Sequence, residues 1–286
     1  MLVAAQIPDR PGAIATRLPA DEVARLAARL GLTPPPSVVR AVIGAASAGP
    51  AWRSEARPGD GGAASRGSRV RDDDEPVDDD VRTVLTTICR PACVITIAAD
   101  RPRIIYAVPG GGVAETERVI DGRVVLDHLS MPARSVLPSI THWTGLDRHP
   151  DHHLVPAGAF TVLAAELAQA VRAVADGELR SGVTILQVAA SAQVESGAEA
   201  VRASAAAGAY ARAWATAGRP GARSVTVTRA TDDDLAVARV HWSDCGAAGL
   251  WLVEQDDALE PDLDALITLR PVTRHSVAAR LRAALG

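Results

Sequence analysis

Residues 92–137 constrain this chain more than any other stretch, because four strand-like runs follow one another with a turn signal in each gap. The first, 92–99 (ACVITIAA), is apolar and β-branched, the composition that suits a pleated, half-buried surface. Asp100, Arg101 and Pro102 form a turn ahead of the second, 103–108 (RIIYAV). Pro109, Gly110, Gly111 and Gly112 break the pairing, which resumes over 113–120. Asp121 and Gly122 make a two-residue hairpin turn; both positions need positive φ, which Asp followed by Gly tolerates. Residues 123–128 (RVVLDH) pair back, and 131–143 reads as a helix that Pro138 kinks or restarts. The stretch is an antiparallel meander closed by a helix.

A second meander lies near the C-terminus. Its strands are 224–228 (SVTVT), 235–242 (LAVARVHW), 249–253 (GLWLV) and 266–270 (LITLR), with Thr231, Asp232, Asp233 and Asp234 as the first turn. An acidic excursion, 254–264, precedes the last strand. Thr273 caps a final helix carrying Val277, Leu281, Ala284 and Leu285 on one side. Both modules run helix, strand, strand, loop, strand, turn, strand, helix, so that Val94 aligns with Val225, Ile104 with Ala236, Leu126 with Leu269 and Val136 with Val277. The fold class expected is α+β, a quasi-twofold repeat of antiparallel β-meanders flanked by helices.

The remaining sequence supplies helices and spacers. Residues 1–17 have no period and read as a lead-in. Residues 19–32 (PADEVARLAARLGL) form a helix, with Asp21 and Glu22 in its first turn, Val23, Leu26, Ala27 and Leu30 as its buried stripe, and Gly31 as its stop. After Pro34, Pro35 and Pro36, Ser37 caps a shorter helix with Val38, Val39, Val42 and Ile43. Residues 53–80 are rich in Gly, Ser and charge and lack the apolar content to offset their ordering entropy, so they read as a disordered linker. Asp78, Asp79 and Asp80 open the next helix, whose stripe is Val81, Val84, Leu85 and Ile88. Residues 145–156 are a polar crossover, and 159–176 a helix with Phe160, Leu163, Leu167, Val171 and Val174 inward. Residues 178–194 suit either strand or helix, and 198–217 form an Ala-rich helix pairing Tyr210 with Trp214. The division is an N-terminal helical segment (1–52), the linker (53–80), a first α+β half (81–145), a helical middle (146–223) and a second half (224–286), all within one domain.

Composition narrows the function. A net charge of −4 and a pI near 6.0 argue against a nucleic-acid partner, and 3% aromatics against a base-stacking platform. No apolar run approaches the roughly 18 residues of a membrane span, and the start lacks the cationic region of a signal peptide, so the expected setting is cytoplasmic, without a membrane. Three cysteines do not make a disulfide scaffold.

The chemistry-bearing residues point weakly. His149, His152 and His153, with Asp151 among them, have ligand types that suit zinc, but Pro150 and the short spacing make joint ligation awkward. They read as solvated crossover residues, with a metal-dependent hydrolase as the rival. Cys89 and Cys93 are separated by three residues rather than two, and read as packing thiols. The glycines at 110–112 precede a strand, whereas a phosphate-cradling loop precedes a helix. None of these residues carries a catalytic, metal or cofactor assignment, so no catalytic residue, metal or cofactor is expected.

Residues 18–32 (LPADEVARLAARLGL), 93–129, 224–242 and 266–286 together resemble the EspG family, cytosolic chaperones of type VII (ESX) secretion in actinobacteria. The resemblance implies binding of a helical substrate of the PE–PPE heterodimer kind, held by its hydrophobic tip to prevent self-association before export. It also implies a recognition surface at the loop between the second and third strands of the first sheet. That loop maps onto Pro109, Gly110, Gly111, Gly112, Val113 and Ala114, where three glycines would permit close backbone approach. A regulatory module binding some other protein is the remaining alternative.

Overall fold

A computed structural model describes residues 15–47, 76–150, 158–195, 197–217, 220–231, 234–255 and 263–286. The expected linker up to residue 75, Asp151, His152, His153, Asp232, Asp233 and most of the acidic excursion (256–262) lie outside the described residues. The architecture is α+β, as expected, with antiparallel strand pairing throughout the registers seen. The chain divides into two compact units, 1–94 with 103–134 and 95–102 with 135–286.

The first unit opens with β1 (Ala15–Pro19), followed by α1 (Ala20–Arg29), α2 (Pro36–Ser47) and α3 (Asp79–Cys89). After β2 (Cys93–Ala98), most of which falls in the second unit, come β3 (Arg103–Val108), β4 (Gly111–Ile120) and β5 (Arg123–Pro132). Its strand order is β1-β5-β4-β3. β1 corrects two expectations, since Ala15 to Arg17 are strand rather than lead-in and the helix begins only at Ala20. The edge of β5 imposes that strand, pairing Ala15 with Leu129 and Pro19 with Val125.

The helix ends follow local chemistry. Leu32 N–H bonds Ala27 O and Gly31 N–H bonds Ala28 O, the double closure of a glycine C-terminus. Asp78 caps α3 by accepting from Asp80 N–H and Val81 N–H. Val23, Leu26, Val38, Val84, Leu85 and Ile88 pack with Tyr106, Val113 and Leu126 as one core. At the β4–β5 turn Asp121 has φ 49° and Gly122 φ 74°, as the hairpin motif required.

The second unit takes in most of α4 (Ala133–Trp143), which runs unbroken through Pro138. After a 3-10 turn at Leu146–Arg148 come β6 (Phe160–Leu163), α5 (Ala164–Ala175), α6 (Leu179–Ala192) and α7 (Gly197–Thr216). β7 (Gly221–Ala230), β8 (Leu235–Asp244), β9 (Leu250–Gln255), β10 (Leu266–Val272) and α8 (Arg274–Leu285) complete it. Its strand order is β2-β7-β8-β9-β10-β6. Phe160 to Leu163, expected as helix, are strand: they pair with β10, the Thr161 and Thr268 hydroxyls bond at 2.9 Å, and helix starts only at Ala164. Phe160 meets Tyr210 and Trp251 at ring-centroid distances of 5.8 and 6.0 Å, and Tyr210 meets Trp214 at 6.0 Å, the i, i+4 pair read from the sequence.

The element series β1-α1-α2-α3-β2-β3-β4-β5-α4 has the same order as β6-α5-α6-α7-β7-β8-β9-β10-α8 when the 3-10 turns are set aside.

Candidate protein-binding surface

The six residues singled out between β3 and β4 do not form one loop. Val108 pairs with Gly111, so Pro109 and Gly110 alone make the turn, with Gly110 at φ 92°. Pro109 and Gly110 are exposed, whereas Gly112, Val113 and Ala114 are buried in β4. A Cβ on Gly111 would lie 2.7 Å from the Met131 carbonyl oxygen, and one on Gly112 3.0 Å from that of Tyr106. The close approach these two glycines permit is to neighbouring strands. The turn is tied to β5's end, with Ala133 N–H bonding Gly110 O at 3.0 Å.

Exposed apolar side chains lie elsewhere in the first unit. α2 turns Val38 and Ala41 inward and leaves Val39 and Ile43 41% and 59% exposed. With Pro34, Pro36 and Arg40 they line a shallow groove of about 580 Å³. The sequence reading named Val39 and Ile43 as helix apolar positions without showing that they face away from the core. At the end of β4, Val119 is 69% exposed.

The first unit also holds a buried polar chain that the sequence reading missed. Ser37 Oγ lies 2.7 Å from Tyr106 Oη, which donates to Glu115 Oε1 at 3.3 Å, and Glu115 Oε2 lies 3.2 Å from His128 Nε2. Ser37, expected to cap α2, instead sits inside its first turn, because Pro36 is the first helical residue. Burial, reinforced by the charge of Glu115, pushes the Tyr106 phenol well above its ordinary value. The one available signal was polar residues at inward strand positions, since Glu115 alternates with Val113 and His128 with Leu126.

The metal and thiol candidates fall elsewhere. His149 Nε2 lies 3.2 Å from Asp244 Oδ1, and His142 Nδ1 3.0 Å from Asp147 Oδ2. Among the described residues no group of three or more His, Cys, Asp or Glu gathers to hold a metal. Cys89 and Cys93 are half-buried and not joined in a disulfide, and Cys245 is buried, its thiol pushed up to about 12 chiefly by burial. Among the described residues no helix is long and apolar enough to cross a membrane. No family model matches the chain, and no curated protein matches it.

Proposed function

We propose that this protein is an EspG-like chaperone that acts by binding, in the cytoplasm, a helical PE–PPE-like substrate of a type VII secretion system. The observation that carries the reading is the element order written twice, over β1–α4 and again over β6–α8, which supports the internal repeat read from the sequence. The contact would use the exposed Pro109–Gly110 turn and the Val39–Ile43 face of α2, with Gly111, Gly112, Val113 and Ala114 supporting the turn from within β4. Masking is then hydrophobic: each square ångström of apolar tip removed from water contributes on the order of 25 cal/mol. Co-expression with PE–PPE pairs followed by gel filtration tests the reading. Co-elution with a pair, lost on substituting Ile43 by Asp, is expected; elution alone in every combination sinks it.

A further inference from the structure

We propose that the chain Ser37–Tyr106–Glu115–His128 couples the exposed face of α2 to the β3–β4 turn, which makes these four residues positioning residues for the binding surface. The inference rests on the functional reading for the use of that surface, but not for the coupling itself.

The geometry places each link where coupling needs it. Ser37 stands two residues ahead of Val39 on α2, so its hydroxyl adds a polar tie to the apolar contacts between that helix and the sheet. Tyr106 and Glu115 sit on the two strands that the Pro109–Gly110 turn joins, and Tyr106 pairs directly with Val113. His128, opposite Glu115 on β5, closes the far end. All four residues are buried, at 7%, 3%, 4% and 1% exposure, so water cannot replace a broken link. The order of donors is fixed as well. Glu115 has no proton to give as a carboxylate, so Tyr106 donates its hydroxyl hydrogen there and must accept from Ser37.

Such a chain in a low-dielectric interior is polarised along its length, and removing one member weakens the next. Its far end is less fully bonded. His128 Nδ1 and Thr16 Oγ1, at paired positions on β5 and β1, are both buried without a hydrogen bond among the described residues. The links at the α2 end therefore carry the constraint on the turn. A partner that presses on Val39 and Ile43 moves Ser37, and through Tyr106 and Glu115 it shifts the strands that hold Pro109 and Gly110.

Amide hydrogen exchange on the full chain tests this without any partner, so a failed capture of PE–PPE pairs leaves the result standing. Ser37→Ala, Tyr106→Phe and the double variant are compared with wild type. Ser37→Ala should speed exchange about five-fold, the worth of one ordinary hydrogen bond, in α2 and also over residues 106–113. The β6–β10 pairing in the second unit should be unchanged, and the double variant should exchange no faster over 106–113 than Tyr106→Phe alone. Acceleration confined to α2 after Ser37→Ala, or a double-variant effect equal to the product of the single ones, overturns the proposal.

Discussion

Glu115 Oε2 lies 3.2 Å from His128 Nε2 across the β4–β5 ladder, with the two side chains 4% and 0% exposed. The carboxylate also accepts from Tyr106, so one side chain satisfies two buried donors. Glu115→Ala strands both, and should destabilise the protein by about 3–5 kcal/mol in urea denaturation. Glu115→Gln keeps an acceptor oxygen and should lose less, about 1–3 kcal/mol. Equal losses in the two variants would contradict this, because Gln keeps both the acceptor oxygen and the side-chain volume that Ala removes.

Asp244 gives the second unit an acid-sensitive tie. Burial works to raise its pKa, but the His149 hydrogen bond, the Gly246 N–H and the electrostatic pull of His149 and Arg223 outweigh burial and hold the carboxyl below its ordinary value. A depressed native value stabilises the fold fully above the unfolded carboxylate range, and that contribution is lost as pH falls through the native value. Asp244→Asn should therefore be less stable than wild type at neutral pH, with the gap closing as pH drops below about 4. Denaturation midpoints measured from pH 7 down to pH 3 check this, and a gap that stays constant contradicts it.

Glycine at 111 answers to β5 rather than to a ligand. Its missing Cβ would meet the Met131 carbonyl oxygen at 2.7 Å, and backbone cannot give way as a flexible side chain can. Gly111→Ala should cost about 1–3 kcal/mol through overpacking. Pro109→Ala, at an exposed turn position, should stay within about 0.5 kcal/mol of wild type in stability. Thermal unfolding of the two variants side by side distinguishes a packing glycine from a tolerant loop.

These cases show which parts of the structure the residues announce. Signals carried by neighbours in sequence were legible: the acidic start of α3 at Asp78 to Asp80, the Thr273 cap, the stop at Gly31 and the Asp121–Gly122 turn all formed as their chemistry dictates. Strands decided by distant partners were not. Arg17 in β1 meets Asp127 110 residues away, and Thr161 in β6 meets Thr268 107 residues away. Nothing local marks either segment as a strand, and Phe160, Leu163 and Leu167 even mimic a helical stripe. The candidate surface divides in the same way. The turn at Pro109 and Gly110 was legible from residue type, but the outward face of Val39 and Ile43 depends on which side of α2 the core occupies. Glu115 and His128 escaped because a polar residue in an alternating strand gives no hint of a partner on the next one.

The thiols offer the simplest check on burial within each unit. Cys245 is fully buried, and its thiol, pushed up to about 12, stays protonated near neutral pH, so it is both inaccessible and unreactive. Burial raises the Cys89 thiol too, with Arg90 pulling the other way, but Cys89 remains half-buried. Maleimide labelling of the native protein at pH 7.5 should therefore reach Cys89 and Cys93 slowly and leave Cys245 unmodified. Cys245 should label at the rate of global unfolding and become fully reactive in denaturant. Native-state labelling of Cys245 as fast as that of Cys89 would show that the β8–β9 connection opens locally, against the buried placement found here.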